Sequence, residues 1–445
     1  MEYHGQSAVV LGLGQSGAAA AELLQSLGAR PVVCDSSDSP QLRERAEALG
    51  RKGIASILGP AADSDPAGYD FAVLSPGIDP SAPLVRNVSA KNIPVIGELE
   101  LAFRECSCPV AAITGTNGKT TTTELTTHIL KRCGLRAIAS GNIGLPFSTA
   151  VLGSAELDVM VLEVSSFQLE AIRDFHPRVA AWLNLSPNHL DRYANMGEYR
   201  AAKLRIFEKQ TAGDDAVVNA LSDLPALSAR KTTFSAMGGN ADFTLRGTEI
   251  YFHARRVLDQ SRTSLPGVHN AENTMAALAI GKALGLDLGM MAESVSDYSP
   301  PSHRCEFVRE ISGVRWINDS KSTNLDAMEK AILSQPQPLI LIAGGKDKGT
   351  GFEANAALVR ERAKTVFLIG EMRHRIAGDW KNSDCRICGS LGEAVAGAHA
   401  AAQAGDTVLF SPGTSSFDMF CNYAERGNTF KTLVNQLNPQ PPKQP

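Results

Sequence analysis

The sequence predicts an α/β protein of three domains. These are a Rossmann-like N-terminal domain at 1–97, a central P-loop-type domain at 98–300 and a Rossmann-like C-terminal domain at 301–445. Three observations predict it. The chain opens on an apolar run, Ala8-Val9-Val10-Leu11, followed by Gly12-Leu13-Gly14-Gln15-Ser16-Gly17. A second run, Pro109 to Ile113, leads into Gly115-Thr116-Asn117-Gly118-Lys119-Thr120-Thr121 and a helical pattern ending near Gly134. After Ser299-Pro300-Pro301, apolar runs again alternate with polar, glycine-rich loops. At 445 residues the chain has room for several cores.

In the first block, a strand from Pro31 to Cys34 ends at Asp35, an acid about twenty residues after the glycine motif. This pattern admits a dinucleotide, another nucleotide, or tight helix–strand packing with no ligand. A further strand, Phe71 to Leu74, runs into Ser75-Pro76-Gly77-Ile78. Open parallel sheets bind ligands at that edge.

The second block starts near Glu98. Gly115 and Gly118 let backbone N–H groups turn inward around phosphate oxygens, and the helix N-terminus and Lys119 add positive charge. Thr120 supplies a hydroxyl for Mg²⁺. The generic phosphate loop needs Gly at position 113, where this chain has Ile, so the loop is a shorter variant. The strand Asp158 to Val164 carries Glu163 near its end, a position suited to a Mg²⁺-binding acid. The next strand, Val179 to Leu185, leads to Ser186-Pro187-Asn188-His189-Leu190-Asp191. Lone histidines are mostly structural, but His189 follows the acid by one strand, which favours a ligand role. Tyr199 to Phe207 reads as a helix, on which Lys203 taken alone is a solvated surface lysine.

In the third block, strand Val314 to Ile317 leads to Asn318-Asp319-Ser320-Lys321-Ser322-Thr323-Asn324. Leu339 to Ala343 leads to Gly344-Gly345-Lys346-Asp347-Lys348-Gly349. Thr365 to Ile369 follows, then Thr407 to Phe410 with Ser411-Pro412-Gly413-Thr414-Ser415-Ser416. Repeated polar loops after strands predict a ligand face. The proline-rich tail from Asn438 has no apolar pattern and is expected to be disordered.

Bulk composition narrows the function. Lys plus Arg is 43 and Asp plus Glu is 47, a net charge of −4, so no basic surplus points to nucleic acid. No apolar run is long enough to span a membrane, and the N-terminus lacks a signal-peptide layout. The eight scattered cysteines read as reduced thiols of a cytoplasmic protein. Cys385 and Cys388 form a lone CxxC, for which a redox or zinc role is the lesser reading.

Seven segments together resemble the Mur ligases. They are the phosphate loop, Ser140-Gly141-Asn142-Ile143-Gly144, Leu162 to Leu169, His189 to Tyr193, His269 to Asn273, His303 to Glu306 and Asn318 to Asn324. They occur in order over nearly the whole chain. The glycine-rich opening, Ser75 to Ile78, and Ser411 to Phe420 most resemble the branch that adds D-glutamate. The Asp-Asn-Pro-Arg-type motif of the diaminopimelate- and lysine-adding branches is absent. Asn188 stands where many relatives have Asp, which puts a supporting carboxylate there in doubt.

The resemblance implies an ATP-dependent ligation of D-glutamate to UDP-N-acetylmuramoyl-L-alanine in cytoplasmic peptidoglycan precursor synthesis. It implies that the first domain binds UDP, with Ser16, Asp35, Ser36, Ser75 and Gly77 matching substrate-contact positions, joined by Asn142, Gln168 and His189 of the central domain. The central domain is then an ATPase domain, with ATP between it and the third. The phosphate loop from Gly115 to Thr121 would hold ATP together with Asn273, Arg304 and Asp319. Thr120, Glu163, His189 and Lys203 match Mg²⁺ ligands, with two ions expected and Lys203 as a CO₂-derived carbamate. Lys119, His189 and Lys203 are the expected catalytic residues. Lys321, Thr323, Lys348, Ser416 and Phe417 match positions near D-glutamate. A monomer is expected, whose third domain closes on the second to exclude water. Two rivals remain. An NAD-dependent oxidoreductase leaves Lys119 and Glu163 without a task. A non-catalytic nucleotide-binding protein does not account for Glu163, His189 and Lys203 together.

Overall fold

The computed structural model describes residues 3–63, 68–79, 81–189, 192–299, 302–335, 337–346 and 351–438. Pro300, Pro301, Leu190, Asp191, Lys348 and the tail prolines lie outside the described residues. The chain forms two compact units. One comprises Met1–Leu185, Arg192–Thr263 and Ala271–Tyr298; the other comprises Ser186–Asp191, Ser264–Asn270 and Ser299–Pro445.

The first unit holds two sheets. The strands β1 (Ser7–Leu11), β2 (Arg30–Asp35), β3 (Ala55–Leu58), β4 (Phe71–Leu74) and β5 (Val95–Gly97) form a parallel sheet in the order 3-2-1-4-5. The chain moves one way from β1 to β2 and the other way to β4, so a crevice opens beyond the ends of β1 and β4. Apart from half-buried Ser7, every residue of β1 and β4 is buried, as a parallel sheet covered on two faces requires.

The second sheet contains β6 (Val110–Thr114), β7 (Ala137–Gly141), β8 (Val159–Glu163), β9 (Val179–Trp182), β10 (Asp215–Asn219) and β11 (Arg230–Ser235). It continues as β12 (Phe243–Arg246), β13 (Glu249–Phe252) and β14 (Arg255–Asp259). Its order is 14-13-12-11-10-9-6-8-7, with β6 between β8 and β9. The β12–β13–β14 edge is antiparallel, an extension the sequence reading did not anticipate. One apolar cluster joins both sheets, running from Ala8 and Val33 through Leu99 and Leu101 to Val110, Leu162 and Trp182.

The second unit holds β15 (Glu306–Ile311), β16 (Val314–Asn318), β17 (Leu339–Ala343), β18 (Ala363–Leu368), β19 (Cys385–Ile387) and β20 (Thr407–Phe410), in the order 15-16-20-17-18-19. The β15–β16 pair is antiparallel and the rest parallel. Ile340 and Ile342 face one core, Leu339, Leu341 and Ala343 the other. That is the period-two alternation of a strand buried on both faces.

Candidate active site

The phosphate loop leaves β6 at the switch point of the second sheet and enters the helix Lys119–Arg132. Gly118 caps this helix at φ +82°, with no side-chain cap hydrogen bond of its own. A Cβ on Gly118 would lie 2.2 Å from Asn273 Oδ1, and one on Gly115 would crowd Leu183 and Asn184. Only glycines allow this tight, inward-turned backbone. Asn273 Oδ1 also accepts from Thr122 Oγ1 at 3.3 Å, which ties the helix Val268–Ala283 to the first turns of the helix that follows the loop. Lys119 Nζ donates to the carbonyls of Gly115 and Thr116, at 3.0 and 2.9 Å, so its charge already lies over the loop.

Glu163 ends β8, the neighbour of β6, and is buried. Its Oε2 accepts from Thr120 Oγ1 at 2.7 Å and its Oε1 from Asn142 Nδ2 at 2.8 Å. Carboxylate and hydroxyl are hard oxygen donors, which suits Mg²⁺. Among the described residues, no three His, Cys, Asp or Glu side chains converge on a metal position.

Lys203 departs from the surface position its sequence context suggests. It lies on the helix Met196–Leu204 and is 1% exposed. Its Nζ donates to Gly115 O at 3.0 Å and sits 4.7 Å from the Tyr199 ring centre. Burial, and secondly the Lys119 charge, hold its ammonium well below the usual lysine range, against an opposing pull from Glu163. Tyr199 is also buried, with its hydroxyl 3.3 Å from Thr116 Oγ1.

Beyond β1 and β4 lies a cavity of about 510 Å³. Ser16, Asp35, Ser75, Gly77, Asn142 and Gln168 line it. Ser36 does not, and bonds instead to Asp63 at 2.7 Å. Asp35 is a structural acid as well: its Oδ2 accepts from Leu13 N, and its Oδ1 from Ser37 N. Gly17 is required because a Cβ there would lie 1.9 Å from Gly12 O. The helix Gln15–Ser26 starts at Gly14 with no side-chain cap, leaving its first N–H groups for an anion. Arg45 also lines the cavity, its Nη1 donating to Leu13 O at 2.7 Å. The sequence reading missed it, because Arg45 sits in an ordinary charged helix, Pro40–Gly50, with no motif around it.

In the second unit, loops after β16, β17 and β20 meet at one sheet edge. Asp319 N donates to Phe410 O, Gly344 N to Pro412 O, and Gly413 N to Ser322 O. Asp319 accepts from Ser411 Oγ at 2.8 Å and Cys305 N at 3.1 Å, and burial pushes its carboxyl up to about 6. Arg304 Nε is buried with no hydrogen-bond partner among the described residues. Lys321 lies 5.2 Å from the Tyr423 ring centre, Thr323 and Ser416 belong to the same loops, and Phe417 is exposed. Lys348 lies outside the described residues. Arg426, also missed from sequence, is buried beneath this edge. It donates to Ser320 O at 2.7 Å and Thr414 O at 3.2 Å, pinning two loops. His189 belongs to this unit by its contacts, at φ +56°, with its N–H on Asn188 Oδ1 at 3.1 Å.

Comparison with known proteins gives these features a family. Residues 6–97 match the MurD-like N-terminal domain of Mur ligases, 113–281 the Mur ligase middle domain, and 303–413 the Mur ligase glutamate ligase domain. Over 448 residues the chain is 41% identical to UDP-N-acetylmuramoylalanine–D-glutamate ligase of Geotalea uraniireducens, covering 98% of this chain and 99% of that one. The chain belongs to the Mur ligase family. The Alkaliphilus metalliredigens ligase of the same name is 38% identical to this Mur ligase, with 98% and 99% covered. The fold agrees. The structure of UDP-N-acetylmuramate–alanine ligase from Thermotoga maritima superposes with a TM-score of 0.63 at 19% identity, covering 97% of this chain and 99% of that one. This Mur ligase thus has the three-domain architecture of its family, one sheet per domain.

Proposed function

We propose that this Mur ligase joins D-glutamate to UDP-N-acetylmuramoyl-L-alanine, using ATP, in the cytoplasm. The similarity to D-glutamate-adding ligases over nearly the whole chain carries this reading. The phosphate loop and the separate cavity in the first unit support it. In this reading the domains span 1–97, 98–300 and 301–445. The first binds the UDP-sugar, with Ser16, Asp35, Arg45, Ser75 and Gly77 around it, and Asn142 and Gln168 of the central domain complete the lining. Residues 115–121 and Asn273, with Arg304 and Asp319, bind ATP. Lys321, Thr323, Lys348, Ser416 and Phe417 take the D-glutamate.

The L-alanine carboxylate attacks the γ-phosphorus, giving an acyl phosphate and ADP. The D-glutamate amine then attacks the acyl carbon and expels phosphate. A carboxylate is a poor electrophile, and phosphorylation supplies the leaving group. The first attack brings two anions together, so Lys119 and the loop N–H groups must offset their repulsion. Thr120, Glu163 and His189 are proposed to hold two Mg²⁺ ions, whose charge would assist the same neutralisation. A neutral Lys203 amine adds CO₂ and releases a proton, giving a carbamate that supplies a further oxygen ligand. The burial of Lys203 supports that step.

Phosphate release with the UDP-sugar, ATP, Mg²⁺ and candidate amino acids tests the reading. D-glutamate should be required and L-glutamate inactive. Preference for L-lysine or diaminopimelate would replace the substrate assignment.

A further inference from the structure

Away from this site, the loop between the helix Glu98–Arg104 and β6 carries Cys106-Ser107-Cys108. The two sulfurs are 3.8 Å apart in hydrogen-bond contact, and Cys106 Sγ also donates to the Cys108 carbonyl at 3.4 Å. A disulfide needs a separation of about 2.05 Å, so the sulfurs must approach by roughly 2 Å. The loop is already bent for this. Cys106 N donates to Phe103 O at 3.0 Å, and Ser107 N to Ser154 Oγ at 3.1 Å. Cys106 is half-buried beside an exposed Ser107, whereas Cys108 is buried. The hydrogen bond from Cys108 holds the Cys106 thiol below its usual range, and the same bond pushes Cys108 up. Cys385 and Cys388 contrast with this pair, since each donates to a different carbonyl, of Trp380 and of Arg386.

We propose that Cys106 and Cys108 form a reversible dithiol–disulfide site that exchanges with small disulfides of the glutathione class. The Cys106 thiolate attacks one sulfur of the small disulfide, and one thiolate leaves. The Cys108 thiolate then attacks Cys106 Sγ, closing the ring and expelling the second thiolate. Two protein thiols are oxidised, one small disulfide is reduced, and the two protons pass to the departing thiolates. The order follows from access and thiolate character, both greater at Cys106. The ligation chemistry needs neither sulfur, because β6 separates them from the phosphate loop by five residues, about 17 Å.

The test uses the full chain. Protein is incubated with oxidised glutathione, quenched in acid, alkylated under denaturing conditions and digested with trypsin. The peptide 105–119 contains no other cysteine. It should escape alkylation, at a mass two hydrogens below that of the free dithiol peptide, and gain those two hydrogens with dithiothreitol. In Cys108→Ser the glutathione adduct should persist on Cys106. In Cys106→Ser, Cys108 should react at least about 10-fold more slowly. A lasting adduct on wild-type Cys106, an unchanged peptide, or Cys108 reacting as fast as Cys106 would overturn the proposal.

Discussion

Thr120 Oγ1 donates a 2.7 Å hydrogen bond to Glu163 Oε2, linking the first turn of the phosphate-loop helix to the end of the adjacent strand. The bond places a hydroxyl and a carboxylate side by side at the mouth of the anion cradle. With magnesium bound, the same hydroxyl would turn its lone pair to the ion. Thr120→Val should therefore raise the Mg²⁺ concentration for half-maximal phosphate release by about 10-fold or more. The fold should persist, because valine matches threonine in shape. An unchanged magnesium requirement would assign Thr120 to packing alone.

Lys119→Ala should lower turnover by about 10²-fold or more, since a preorganised cation acts where charge develops in phosphoryl transfer. Affinity for the UDP-sugar should stay near wild type, because the 510 Å³ cavity is lined by other residues. Isothermal titration with the UDP-sugar and a phosphate-release assay separate the two effects. A near-normal rate would make the loop lysine structural.

Lys203 should give a carbamate signal in ¹³C NMR of protein equilibrated with ¹³CO₂, and Lys203→Ala should lack it. The alanine variant should lose turnover, with partial recovery in formate or acetate, whose oxygens fit the vacated space. Absence of the signal in active wild-type protein would remove the carbamate from the mechanism.

The two glycines that flank Gln15 and Ser16 should behave differently. A Cβ on Gly17 would collide with Gly12 O at 1.9 Å, whereas one on Gly14 meets nothing within 4 Å. Gly17→Ala should lower the thermal midpoint, at a cost of about 1–3 kcal/mol. Gly14→Ala should unfold like wild type, although its methyl faces the cavity and should weaken the UDP-sugar. Equal midpoints for both variants would contradict the collision.

The sequence exposed those parts of the site that lie in one contiguous stretch. The phosphate loop is legible because glycine, lysine and threonine must be adjacent to wrap a phosphate. Glu163 was legible from its place at a strand end. Lys203 was not, because what buries it, Gly115 O and the Tyr199 ring, includes a loop far away in sequence. Arg45 and Arg426 escaped for the same reason, since their carbonyl partners are distant in the chain. The parallel strands announced themselves as apolar runs. The short, partly exposed β12–β14 edge carries too little apolar pattern to do so.

Asp319 gives a pH signature. Burial raises its carboxyl from 3.8 to about 6, with Ser411, Cys305 and Arg304 pulling the other way. The folded state then binds more protons at this group than the unfolded state between those values. Its contribution is most favourable at or below pH ~4 and is lost as pH rises through about 6. Asp319→Asn keeps an amide oxygen for the Cys305 N–H and removes the ionisation. The thermal midpoint of the variant, relative to wild type, should therefore rise between pH 4 and pH 7. A difference that stays constant over that range would show that Asp319 titrates alike in both states, and that burial does not govern its charge.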